Sequence, residues 1–497
     1  MAPEDPPLSH LLPPGEYQVE WEVPDRAAGT RRLSGGITLE GNRPPTGYAR
    51  GDVPTIWDRD GAHKSAGFPQ SYTAESVTGT LLNGFTVVLI DVHIEIFPSV
   101  ASLNARVALV GRDTYAGGGP NITAFRTQLS GLDAVAGTPP IRSVTHPRSL
   151  REAPTPQVGE GAAEASSVPS GPTWTVSYNR ASTQHWADSG ADVELRFLSA
   201  ATAADAFFFR VHFSPVLDVT LREPVSIDSV VQDWVEPFRG ISSLSTGRQE
   251  RITFLTISVE ASDADSTQHV FQVYGRGLHQ DPYATQPNDV RKLQPSFTLS
   301  GDSLSLVQMA RTWQGLEDSG HPLLQTYGSM MFAPQQHPRS QFVMLVQALE
   351  GLQGYADRAN SEARKIEHQA ARAAVLIEAK ETLSGAALRF VKKHLLRTPP
   401  ESLDGKLRLA LAALPVDISS ALDHSALIAT VRSEAKPSSV YDALRMVRNH
   451  LSHGTRSYDT LQLHEVSQLL ERAARAYLLR LLGCPDSVLE REQSRDD

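Results

Sequence analysis

The sequence predicts an α+β multidomain chain, a β-rich N-terminal domain followed by a C-terminal all-α helical bundle. Segments of the first half are rich in Val, Ile, Thr and aromatics and are bounded by Gly, Pro and Asn, the composition of half-buried strands. From Ser340 onward almost every segment repeats its apolar residues at helical spacing. The 497 residues also exceed the roughly 250–300 at which a single core stops growing, so two or three domains are expected.

Predicted strands cover Tyr17–Val23, Leu33–Leu39, Thr86–Phe97 and Leu103–Val110. In the second half of Thr86–Phe97, Val92, Ile94 and Ile96 alternate with polar residues, the period of a strand with one buried face. From about 134 to 173 the chain is crowded with Pro, Gly, Ser and Ala and reads as a mobile loop or insertion. Strands resume at Trp174–Tyr178, Val193–Leu198 and Phe207–Phe213. After Pro224, the residues Val225, Val230, Val231, Trp234 and Val235 form a helical stripe, and strands follow at Ile252–Val259 and His269–Val273. The expected division is a β-rich domain over 1–223, a mixed continuation of it over 224–335, and a helical bundle over 336–497.

Four stripes define the bundle. They are Phe342, Leu345, Val346, Leu349 and Leu352; Leu403, Leu407, Leu411 and Leu414; Val440, Leu444, Val447 and Leu451; and Leu463, Val466, Leu470, Ala473 and Tyr477. Pro399, Pro400 and Pro415 separate helices, Pro437-Ser438-Ser439 opens one and Gly454 closes it. Asp459 followed by Gln462 resembles a capping box for the last. Roughly five or six helices joined by short turns are expected.

Composition narrows the setting. Cys484 is the only cysteine, which excludes an intramolecular disulfide and a Cys-based zinc site and points to the cytoplasm. The start, with prolines and acidic residues, lacks the basic and apolar regions of a signal peptide, and no apolar run reaches membrane-spanning length. Neither secretion nor membrane embedding is expected. A net charge of −10 argues against general nucleic-acid coating. Yet residues 361–400 hold eight Lys or Arg against four Glu, a local +4, which fits either a basic groove or a solvated helix face.

Chemistry concentrates at one helix end, Val447-Arg448-Asn449-His450-Leu451-Ser452-His453-Gly454. Arginine, a polar neighbour, then histidine five positions on, closing an apolar-faced helix, resembles the Arg-x4-His motif of HEPN domains. The string RNHLSHG resembles the Apea-type subgroup, whose members also place a β-rich domain before the HEPN bundle. The resemblance is carried by the chain from about Pro338 onward, and more loosely by the β part. It implies a metal-independent endoribonuclease, without a cofactor, in antiphage, abortive-infection defence. The implied substrate is RNA, with tRNA one candidate. The same resemblance implies a homodimer through the bundle, with a shared cleft, and a phage-derived trigger sensed or restrained by the N-terminal domain. Arg448 and His453 match the motif's catalytic positions and Asn449 its polar second position, with Glu350, His450 and Tyr458 as supporting candidates.

The residue types suit the reaction. Imidazole transfers protons near neutrality, and a guanidinium fork matches phosphate oxygens. On an ideal helix, however, positions five apart lie about 140° from each other, so one helix does not aim both groups at one atom unless its end unwinds or a second copy supplies the partner. Taken by themselves, Arg448 also fits an ion-pairing surface arginine and His453 a helix-end histidine satisfying carbonyls. Glu350 fits a solvated glutamate, and Tyr458 either a base-stacking ring or a buried turn residue. His450 and His453, three apart, could share a metal, but no third ligand follows by spacing. The competing functions are a non-catalytic HEPN module that binds nucleotide or RNA, a scaffold, and a metal-dependent hydrolase.

Overall fold

The computed structural model describes residues 7–25, 29–60, 63–113, 119–145, 175–205, 208–260, 269–284, 294–333, 335–356, 358–397, 403–414 and 417–493. A β-rich N-terminal part precedes an all-helical C-terminal part. By contacts the chain divides into Met1–Ser242 with Glu250–Val307, and Ser243–Gln249 with Gln308–Asp497. In this division residues 308–335 group with the helical unit.

The β unit opens with β1 (Gly15–Pro24), β2 (Thr30–Leu39), β3 (Thr46–Arg50), a small hairpin of β4 (Asp58–Asp60) and β5 (His63–Ser65), then β6 (Gln70–Leu81), β7 (Thr86–Phe97) and β8 (Val100–Gly111). Antiparallel pairing runs β8-β3-β2-β1-β6-β7 and closes through β7–β8, giving a six-stranded barrel. Trp21, fully buried, fills its interior and donates its indole N–H to the Tyr48 carbonyl at 3.0 Å. A Cβ at Gly79 would stand 2.6 Å from the Trp21 ring, so that strand position has room only for glycine. Along β7 the core-facing residues are Val87 and Leu89, then Val92, Ile94 and Ile96. The inward parity therefore changes across Asp91, whose φ of 53° takes it out of the pleat.

β8 is long enough to serve two partners on one edge, β3 through residues 100–104 and β16 (His269–Gly275) through residues 107–111. From that branch the sheet extends through β15 (Ile252–Val259), β9 (Ile122–Leu129), β14 (Phe208–Val225) and β13 (Ala191–Asp205) to β12 (Gln184–Ala187). Part of the expected insertion is structured, since α1 (Leu132–Ala136) begins before it and β10 (Ile141–Thr145) pairs with β11 (Thr175–Tyr178). The remainder, 146–173, lies outside the described residues. The stripe after Pro224 forms a helix, α2 (Ile227–Ser229) continuing through a π-turn into α3 (Glu236–Thr246), and Trp234 meets Phe125 of β9 at 6.4 Å between ring centroids.

The helical unit comprises α4 (Leu306–Asp318), α5 (Ser329–Met331), α6 (Pro338–Ala356), α7 (Arg358–Thr382), α8 (Gly385–His394), α9 (Leu403–Ala412), α10 (Ser419–His424), α11 (Ala426–Ala435), α12 (Val440–His453), α13 (Thr460–Leu481) and α14 (Asp486–Gln493). More helices are present than the stripes suggest, because α7 and α8 are largely exposed and α10 spans only 6 residues. The four stripes are buried at every position but Tyr477, which is half-buried and donates its hydroxyl to the Ala410 carbonyl at 2.5 Å. α6 forms the centre, packed against α13, α9 and α12.

The last helix is held by charge as well as by Val488 and Leu489. Glu492, 2% exposed, accepts from Arg475 Nη1 at 2.6 Å. Removing Glu492 takes the paired carboxylate from a largely buried guanidinium, leaving it Tyr327 and Glu471, and breaking a buried pair costs up to about 3–5 kcal/mol. Glu492→Ala is expected to lower the stability of the helical unit by about that amount, read as the shift of the urea midpoint by far-ultraviolet circular dichroism. A shift below about 0.5 kcal/mol would show the pair to be incidental.

Candidate functional site

α12 is set in place by its own sequence. Ser439 caps its start, the hydroxyl accepting from the Asp442 N–H at 3.1 Å. Val440, Ala443, Leu444, Val447 and Leu451 bury one face. The end is fixed by Gly454 in the left-handed region, φ 66°, whose N–H meets the Leu451 carbonyl at 3.3 Å, while the Thr455 N–H meets that of His450 at 3.0 Å. Arg339, at the start of α6, donates to the Leu451 carbonyl as well. That cation at the negative end of the helix was not visible in the sequence, because 112 positions separate donor and acceptor.

The burial of one face decides where the motif residues stand. Taking Val447 as the inward direction, Arg448 falls about 100° to one side and His450 about 60° to the other, on the two edges of the stripe, while His453 falls well behind them. Arg448 and His450 are half-buried and His453 is exposed, as this setting requires, while Asn449, turned about 200° from Val447, is half-buried as well.

Two groups result. In the first, Arg448 Nη1 donates to Asn449 Oδ1 at 3.2 Å and Arg448 Nη2 faces Glu350 Oε2 of α6 at 3.8 Å. Arg448 and Glu350 each follow a fully buried residue, Val447 and Leu349, so the edges of the two helices bring them together. The guanidinium keeps spare donor capacity, since Nε is buried without a hydrogen-bond partner. In the second group His450 Nδ1 shares a 2.7 Å hydrogen bond with the Tyr458 hydroxyl. Arg456 lies over the Tyr458 ring at 4.6 Å and is paired with Glu434. Partial burial pushes the Tyr458 phenol above its ordinary range, and the hydrogen bond from Arg456 pulls the Glu434 carboxyl below its own.

Among the described residues no hydrogen bond or ion pair joins His453 to either group. α12 stays helical through His453, so its end does not unwind to bring the imidazole round to Arg448. The six candidates thus gather as Arg448, Asn449 and Glu350 on one edge and His450 and Tyr458 on the other, with His453 alone and open to solvent. Arg456 and Glu434, which cover Tyr458, were not singled out by sequence; their pairing depends on where α11 ends.

No protein-family model matches the chain, and the searches of curated proteins and of solved structures each returned no match. No helix among the described residues is long and apolar enough to cross a membrane. Among those residues no cluster of three His, Cys, Asp or Glu side chains is positioned to hold a metal ion. A cleft of about 210 Å³ in the same unit, lined by Tyr327, Gln336, Gln341, Glu471 and Arg475 among others, includes none of the motif residues.

Asp442 ties the start of α12 to pH. Its carboxyl is held below the usual range, first by Arg445, which donates at 2.5 Å, and then by the Ser438 N–H at 3.0 Å. A carboxyl depressed in the folded state contributes stability above its unfolded pKa of about 3.9, and that contribution is lost as pH falls through the lower folded value. The stability advantage of the wild type over Asp442→Asn is therefore expected to be full at pH 6 and to shrink below about pH 4, in urea titrations at each pH. An advantage independent of pH would show that the carboxylate charge contributes nothing.

Proposed function

We propose that the helical unit is a HEPN-type endoribonuclease that cuts RNA without a metal ion. Arg448 binds the scissile phosphate and His453 transfers the proton. The observation that carries this reading is the state of Arg448, a guanidinium held at a helix edge by Asn449 and Glu350 with donor capacity left over. An oxyanion fits such a fork. His453 supplies the only exposed imidazole on the same helix, three residues beyond His450.

The chemistry balances with these groups. The ribose 2′ oxygen attacks phosphorus as it loses its proton, the guanidinium stabilises the charge gathering on the phosphorane, and the 5′ oxygen leaves as it gains a proton. The products are a 2′,3′-cyclic phosphate and a 5′-hydroxyl. Proton transfer of this kind contributes typically about 10²–10⁴-fold.

The helical geometry supports a two-fold assembly. Because Arg448 and His453 lie about 140° apart on a helix regular to its end, one chain presents them on different sides, and a symmetric pair of chains can set one copy's imidazole beside the other's guanidinium. Asn449 and Glu350 then act as positioning residues for Arg448, and a role in antiphage defence follows from the family resemblance alone.

Purified protein incubated with total RNA, tRNA included, in excess chelator is expected to release fragments ending in 2′,3′-cyclic phosphate. Arg448→Ala and His453→Ala should each slow the reaction by about 10²-fold or more. An equal mixture of the two variants, allowed to exchange subunits, should recover activity that neither has alone. Binding without products would replace this reading with a non-catalytic RNA-binding module, and activity abolished by chelator would replace it with metal-dependent hydrolysis.

A further inference from the structure

The α7–α8 hairpin shows a surface that the fold leaves unused. Leu388, Val391 and Leu395 are half-buried on the inner side of α8, and His368 of α7 donates from Nε2 to the Leu396 carbonyl at 3.1 Å, which closes the hairpin. No residue of α8 is fully buried. Its outer side carries Arg389, Phe390, Lys393 and His394, with Lys392 at the border of that side, all exposed.

Two features of that side are unusual together. Residues 385–397 hold Arg389, Lys392, Lys393 and Arg397, with His394 and no Asp or Glu, in a chain whose net charge is −10. Among the described residues none of those four cations has an ion-pair partner. Phe390 is 64% exposed at the middle of this patch, its ring 4.3 Å from that of His394. Cations in a last turn are favoured by the helix dipole. The dipole does not account for a large aromatic ring standing in water beside them.

We infer that the outer face of α8 binds single-stranded RNA, with Phe390 and His394 as a stacking platform for one or two bases and Arg389, Lys392 and Lys393 on the flanking phosphates. The inference rests on the nuclease reading for the identity of the strand, and its own support is the juxtaposition of an exposed ring with cations that have no ion-pair partner among the described residues. On an ideal helix Lys393 lies three residues from Phe390 and four from Arg389, so the ring and those two charges share one contiguous arc, with Lys392 at its border about 60° beyond Arg389. Bases offer a π face to the ring whatever their identity, and phosphates at the strand's spacing meet the cations on either side. Such a surface holds the strand without reading its sequence.

The test uses the full chain and a fluorescein-labelled 20-nucleotide 2′-O-methyl oligouridine, whose blocked 2′ oxygen prevents cleavage, with anisotropy followed across salt concentration. Phe390→Ala is expected to weaken binding about 5- to 100-fold, the fold-change equivalent to losing one stacked base. Phe390→Trp should retain affinity and Phe390→Leu should not, which separates stacking from mere apolar contact. Replacing Lys392 and Lys393 together by Ala should make the plot of log affinity against log salt shallower by about 1.4. No binding by the wild type, or equal affinity in all variants, overturns the inference. So does a result in which Phe390→Ala abolishes binding to phosphatidylserine vesicles and leaves the oligonucleotide unaffected, for the helix would then be a membrane surface. The two readings fail separately. If Phe390 variants bind and cut like the wild type while His453→Ala does not cut, only this surface falls; if Phe390→Ala loses binding and the wild type cuts nothing, only the nuclease reading falls.

Discussion

The rotational setting of α12 governs what the helical unit can do. Five apolar side chains, from Val440 to Leu451, leave the helix one way to face the core. Once Val447 and Leu451 point inward, a rise of 1.5 Å and a turn of 100° per residue place every polar group of the motif. Arg448 and His450 come to the two edges and His453 to the outside. Nothing local can change that arrangement while Gly454 and Arg339 hold the last turn closed. The separation of guanidinium and imidazole is therefore a consequence of core packing, and it is the feature that the proposed two-fold assembly would overcome.

The fold was largely legible because its signals are periodic. Strands such as Ile252–Val259 and Thr86–Phe97 stand where the alternation and composition place them, and the four leucine-rich stripes are the buried faces of α6, α9, α12 and α13. Closure of the first six strands into a barrel was not legible. It depends on β7 meeting β8 along its whole length and on β8 dividing its other edge between β3 and β16, which no local pattern encodes. The parity change at Asp91 was hidden too, since a positive φ at one non-glycine residue leaves no trace in composition.

The site divides along the same line. The candidates on one helix were singled out by a motif and its resemblance, and the conflict in their directions followed from their spacing. Partners contributed by other helices were less visible. Glu350 was a candidate only through the resemblance, whereas Arg339, Arg456 and Glu434 carry no motif of their own. Their roles arise because α6 begins, and α11 ends, where α12 finishes. Side chains that satisfy a helix terminus are chosen by tertiary position, and sequence distance hides them.

Charge placement links the two surfaces of the helical unit. The chain is acidic overall, yet the cations around α12 are mostly engaged: Arg445 with Asp442, Arg456 with Glu434, Arg448 facing Glu350. Those pairs spend charge on local order, and little net field remains there to attract a polyanion. On α8 the reverse holds, with four cations unmatched by any carboxylate along thirteen residues. A nuclease whose phosphate-binding arginine is half-buried and partly neutralised gains nothing from it in capture, because a strand must be close before so enclosed a guanidinium can act. On that reading capture would fall to exposed charges without an ion-pair partner, and among the described residues those around α8 meet both conditions. On the proposed reading the two helices would divide the labour by their electrostatics: α12 would hold a phosphate already delivered, and α8, with its exposed cations and aromatic ring, would deliver it.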